Sequence, residues 1–261
     1  MNETVLTATV EGIGLWAPGV PSWDAFCALR RGAPAAIDAA ARPAPMLLPP
    51  NERRRAPDTV LVALQAAQAA CAAAQRDPAG LPSVFACTLG DLAINDHLCD
   101  TLVRAPTEIS PIRFHNSVHN AAAGYWTIGT GAMQPATALS AGPGTFALGL
   151  LEALAQLATG TEAVLLVGYD GASSGLLRQL VQSDGLLGGA LVLARGAQGT
   201  GPRLTARLDV GATPTPPPVQ VAPGNAMAPM LALMAALADQ AAGAVLPAGD
   251  NQALRIGIAH G

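Results

Sequence analysis

The chain has 261 residues, enough for one large α/β domain or two small ones and for a continuous core that needs no staples. A net charge of −4 with 12% charged residues, and a single tight basic cluster at Arg53, Arg54 and Arg55, gives no electrostatic footprint for nucleic acid. The start, Met1-Asn2-Glu3-Thr4, lacks the basic and apolar regions of a signal peptide, and no apolar run is long enough to span a bilayer, so a soluble cytoplasmic protein without membrane insertion is expected.

At 51% hydrophobic residues the chain carries more apolar surface than a compact monomer of this size buries, which points to a large partner interface. Cys27, Cys71, Cys87 and Cys99 have neither disulfide-framework nor metal-ligand spacing and read as small buried hydrophobes in a reducing compartment. No metal and no cofactor is expected.

In chain order, Val5 to Val10 reads as a buried strand that runs into a Gly/Pro-rich loop over Gly12 to Gly19. Ser22 caps a helix from Trp23, and residues 32 to 50 form an aperiodic Pro- and Ala-rich excursion. Asp58 to Ala74 is an Ala-rich helix, Ser83 to Thr88 the next strand, and residues 90 to 113 a polar segment. A helical stretch from Phe114 leads to a strand at Ala136 to Ser140. Thr145 to Thr159 is apolar almost all round, which marks a helix buried between layers. Ala163 to Val167 and Ala190 to Ala194 are uninterrupted apolar strands. Repeated βα units of this kind predict a sheet covered by helices on both faces. Residues 211–224, with Pro214, Pro216, Pro217 and Pro218, are a linker, followed by an apolar helix over Asn225 to Ala238 and a last strand at Leu254 to Ile258.

The order of these elements, with Gly12-Ile13-Gly14, Asn120-Ala121-Ala122-Ala123-Gly124, the turn from Gly131 to Pro135, Gly160, Gly168 and Asp184-Gly185 at their junctions, resembles the thiolase-fold β-ketoacyl synthases. The resemblance implies an α/β, thiolase-like layered fold with a truncated second half. It divides the chain into a ketosynthase-like N-terminal core at 1–210, the linker at 211–224, and a remnant of the C-terminal half at 225–261.

In that family a nucleophilic cysteine stands at a sharp elbow before the buried helix, where the helix N-terminus favours the thiolate. Here the stretch reads Leu139-Ser140-Ala141-Gly142-Pro143-Gly144-Thr145. Counting back from Gly160 puts Pro143 at the nucleophile position, and a one-residue slip puts Gly142 there; neither can attack an acyl group. Asn225 stands where the family has its second histidine, the first histidine segment is missing near the linker, and the chain has no lysine. The resemblance is nearest to short chain-length factors of aryl polyene and xanthomonadin-type pathways. It implies a subunit without activity of its own that pairs with a catalytic ketosynthase served by acyl carrier protein. Phe114, His115, His119, Asn120, Tyr125 and Trp126 are the implied tunnel or interface residues.

Two rival readings stay open: an acyltransferase or hydrolase using Ser140, which lacks a recognisable neighbouring base, and a structural scaffold of a biosynthetic complex. His115 and His119 share a face if helical, but without a third ligand nearby they read as hydrogen-bonding or partner-facing residues rather than a metal site. Asp170 and Asp184 read as a strand-end residue and a turn residue rather than an acid/base pair.

Overall fold

The computed structural model describes residues 5–36, 40–196 and 201–261. Eight strands, β1 (Leu6–Trp16), β2 (Ser83–Ala86), β3 (Ala136–Leu139), β4 (Ala163–Asp170), β5 (Leu187–Ala194), β6 (Arg203–Val210), β7 (Gly243–Gly249) and β8 (Gln252–Ala259), form one mixed sheet in the order β3-β2-β4-β5-β1-β6-β8-β7. β2 lies parallel to both β3 and β4, while every other pairing is antiparallel.

Alternation along the central strands explains the two-sided core. In β4, Val164 and Leu166 join a cluster with α7 (Thr145–Ala158) and α8 (Met230–Ala238), while Leu165 and Val167 join a cluster with α3 (Asp58–Ala74) and α6 (Ala121–Thr130). Helices therefore cover both faces, as the apolar strand runs predict. The helix α3 occupies the range expected from its pattern.

Gly12 and Gly14 do not form a loop as the sequence reading expects. β1 continues through them to Trp16 with a register shift between Val10 and Gly12. Their physical role is close approach: a Cβ on Gly12 would lie 2.2 Å from the Ala70 carbonyl oxygen, and one on Gly14 2.0 Å from that of Ala66. The Ala-rich face of α3 packs almost backbone to backbone on β1 because neither side carries bulk there.

Other elements differ from expectation. The polar stretch after residue 90 contains a helix α4 (Leu92–Arg104), capped by the Asp91 carboxylate accepting from Ile94 N. A short helix α2 (Pro50–Arg55) closes the Pro-rich excursion, and α1 (Trp23–Arg30) begins after Ser22 as expected. The apolar helix begins at Met230, not Asn225, because residues 225–229 form successive turns ending in Pro229. β6 and β7 were not anticipated. Of the four thiols, Cys71 and Cys87 are buried as expected, but Cys27 is half-buried and Cys99 exposed on α4. Burial pushes the Cys71 thiol up to about 12. Among the described residues no helix is long and apolar enough to cross a membrane.

Candidate functional site

The elbow follows β3, the edge strand of the sheet. Gly142–Gly144 form a single 3-10 turn, and α7 starts at Thr145. Gly142 sits at φ +54°, a left-handed conformation suited to glycine, and a Cβ on Gly144 would come within 2.8 Å of the Ala248 backbone in β7. Pro143 is exposed at the centre of the turn and supplies neither a nucleophile nor an N–H.

The hydroxyls around it are already used. Thr145 Oγ1 donates to Gly142 O at 2.7 Å and accepts from Ala141 N at 2.9 Å, which staples the turn. Ser140 Oγ donates to Thr88 O at 2.9 Å and has no histidine beside it among the described hydrogen bonds, so nothing in its surroundings withdraws its proton.

Asn225 is equally occupied. It is buried, its Nδ2 donates to the carbonyls of Asp170 (3.3 Å) and Asp184 (3.0 Å), and its Oδ1 accepts from Met227 N at 2.9 Å. An amide whose donors are both spent on main-chain oxygens has none left for an oxyanion. Asp170 and Asp184 meet through this amide, not through their carboxylates. Asp170 closes β4, fully buried, and Asp184 lies in an exposed turn paired with Arg178.

The Asp170 carboxylate accepts from Thr88 N (3.1 Å), Leu89 N (3.2 Å) and the Cys87 thiol (3.1 Å). Burial raises its pKa above the usual carboxylate range, and these donors oppose that rise. Desolvation also pushes the Cys87 thiol well up, assisted by the neighbouring Asp170 charge, so Cys87 is not a reactive thiolate.

The implied tunnel residues do not lie on one helix. The segment splits into α5 (Pro111–Ser117) and α6, with an extended Val118 between them (φ −71°, ψ 140°). His115 and His119 therefore do not share a helical face. His115 is exposed on α5, its ring edge-on to Tyr125 at 6.0 Å. His119 is half-buried in the turn, and its Nε2–H donates to Cys87 O at 2.8 Å. Tyr125 Oη donates to the buried Asn116 Oδ1 at 3.1 Å, an anchor the sequence gives no sign of. Asn120 is exposed at the start of α6, and Phe114 is 62% exposed. Trp126 is fully enclosed in the α3–α6 cluster against Phe85, at the opposite extreme of exposure.

A chain of mutually packed elements carries exposed apolar side chains around this edge. α4 presents Leu102 and Val103, the neighbouring 3-10 turn Leu176–Gln179 presents Leu176 and Leu177, α5 presents Ile112 and Phe114, and α6 presents Ile128. Among the described residues β3 is unpaired on its outer side.

Residues 27–252 match the family model described as the β-ketoacyl synthase N-terminal domain. No curated protein sequence matches the chain. Among solved structures, the chain is similar to one described as a ketosynthase (ApeO) in complex with its chain length factor (ApeC) from Xenorhabdus doucetiae, with TM-score 0.75, 24% identity, and 97% of this chain and 99% of that chain covered. The ishigamide ketosynthase/chain length factor gives TM-score 0.71 and 16% identity over 97% of this chain and 99% of that one. A β-ketoacyl synthase from Burkholderia phymatum gives TM-score 0.61 and 15% identity over 91% and 71%. Since the family model matches most of the chain, the chain belongs to the β-ketoacyl synthase N-terminal domain family and has its thiolase-like fold.

Proposed function

We propose that this chain is a chain-length factor: a non-catalytic subunit that pairs with a cysteine-containing β-ketoacyl synthase and shapes the tunnel in which the acyl chain grows. The observation that carries this reading is the bonding around the elbow: Gly142, Pro143 and Gly144 offer no side chain that can attack an acyl group, and Ser140, Thr145 and Asn225 are all committed to holding backbone. The unpaired edge of β3 and the apolar side chains ranged along α4, α5 and α6 supply the surface such a partner would cover. Solved structures of similar fold are described as ketosynthases complexed with chain length factors, which supports the same pairing.

In this role acyl carrier protein delivers substrate to the partner in the cytoplasm, in a type II fatty-acid or polyketide system of the polyene-pigment kind. Residues 1–210 act as the ketosynthase-like core and 225–261 as what is left of the second half. The Ser140 hydrolase reading is weaker because the hydroxyl already donates to a carbonyl and has no base. The test is reconstitution: the chain alone forms no covalent acyl adduct by intact-mass analysis, and with a cognate ketosynthase it elutes as a 1:1 complex. An adduct on the chain alone, or a monomer that ignores the ketosynthase, would overturn the proposal.

A further inference from the structure

A cleft of about 410 Å³ opens between α2 and the α5–α6 pair, within the range of roughly 300–1,000 Å³ usual for small-molecule sites. Its walls are apolar, formed by Leu48, Ile112, Ile128 and the face of Tyr125, and Glu52, Arg55 and His115 bring polar groups to it, so a carboxylate would have to seat on Arg55 away from Glu52.

The cleft is held open by bonds that do not enter it. Arg53 donates to the carbonyls of Ala44 and Pro45, Arg42 to that of Ala56, and Leu47 N to Gln68 Oε1, so the loop before α2 and the C-terminal end of that helix are tied to their surroundings. Leu47 rests directly on Gly129, where a Cβ would meet it at 2.8 Å, and this contact sets how closely the loop approaches α6. Tyr125 is fixed from behind by buried Asn116.

Of the three consecutive arginines in α2, Arg53 is spent on the loop and Arg54 bonds Asn51, whereas Arg55 has no hydrogen-bond or ion-pair partner among the described residues. Glu52, one turn away on the same helix, makes no ion pair with it. A free guanidinium at the margin of an apolar slot offers a planar fork to an oxyanion while the slot takes an alkyl or aryl body.

We propose that this cleft binds a small amphipathic carboxylate, its hydrocarbon part between Ile112, Ile128 and Tyr125 and its carboxylate on Arg55. The site is lined by residues of this chain, but Ile112 and Ile128 also belong to the apolar surface assigned above to the partner, so binding is expected of the unpaired chain. His115, stacked edge-on to Tyr125, adds a second polar contact at the carboxylate end.

The experiment is calorimetric or NMR titration of octanoate into the full-length chain, with methyl octanoate and inorganic phosphate as controls. Saturable one-to-one binding is expected, weakened about tenfold or more in Arg55→Gln, the loss of one charge-assisted pair. Ile128→Trp, at an exposed helix position that tolerates bulk, should block binding without disturbing the fold, as checked by circular dichroism. Undiminished binding in both variants, the same affinity for methyl octanoate, equal affinity for phosphate, or no saturable binding would each overturn the proposal. None of these outcomes bears on whether the chain pairs with a ketosynthase.

Discussion

Asn225 is buried and bonded on every polar atom, and its replacement tests whether that position is structural. Asn225→Ala removes three buried hydrogen bonds at once: the donations to Asp170 O and Asp184 O and the acceptance from Met227 N. At about 1 kcal/mol net for each bond, the loss is about 3 kcal/mol. For chains near this size 1 kcal/mol moves the melting temperature by about 2–4 °C, so a fall of roughly 6–12 °C is expected. Asn225→Asp should be no better, because it keeps one acceptor for Met227 N but turns a carboxylate toward two carbonyl oxygens in a buried site. Differential scanning fluorimetry and calorimetry on both variants provide the readout. If both unfold within about 2 °C of the parent protein, the three bonds do not hold the β4–α8 junction, and the structural assignment of Asn225 fails.

Trp126→Ala should cost about 3–5 kcal/mol by emptying a fully buried site against Phe85, as read by denaturant unfolding. Phe114→Ala should stay within about 0.5 kcal/mol in the same unfolding assay, yet lengthen the product of the reconstituted pair, as read by mass spectrometry of carrier-bound chains. Asp170 supplies a pH test. Because burial raises its pKa in the folded state, the native protein holds that proton to higher pH than the unfolded chain does. Its contribution is fully present below the unfolded value of about 3.9 and is lost as pH rises through the raised folded value. The stability difference between the parent and Asp170→Asn should therefore be larger at pH 4 than at pH 7, and a difference that is flat or grows with pH refutes the raised value.

The two-faced core was legible because β4 and β5 are apolar without interruption, and the long helix α3 was legible from its Ala-rich pattern. α4 was not, since only Leu92 and Leu98 are buried in thirteen residues and so thin a stripe leaves little periodicity to find. β6 did carry its signal: Leu204 and Ala206 are buried and alternate with Thr205 and Arg207, and the period of two was overlooked. A shared face for His115 and His119 requires a continuous helix, and no Pro or Gly marks the break at Val118. That break is held by Cys87 O, 32 residues from His119, and by Tyr125 across the turn from Asn116, which local propensity cannot register. That the turn carries no nucleophilic side chain between Gly142 and Gly144 is legible in the sequence itself. That Asn225, Ser140 and Thr145 each bond main-chain atoms is visible only in three dimensions.

Setting a product length asks for stiffness more than for affinity. Each added methylene is worth only about 0.8 kcal/mol in an apolar tunnel, so binding preference separates neighbouring chain lengths poorly and a wall must exclude by contact. A wall built on a helix hairpin such as α5–α6 would yield if only its own short helices held it. Here the turn between them is fastened inward: His119 Nε2–H donates to Cys87 O, and the same Cys87–Leu89 loop is gripped from the other side by the buried Asp170 carboxylate. Asp170 O is in turn held by Asn225, and Ser140, at the end of β3, donates to Thr88 O in that loop. In the proposed role, residues around an elbow that no longer reacts thus tie the α5–α6 hairpin to the central sheet. Polar groups at the ends of β2, β3 and β4 are the ones that hold the hairpin in place, and a wall so fastened can exclude by contact.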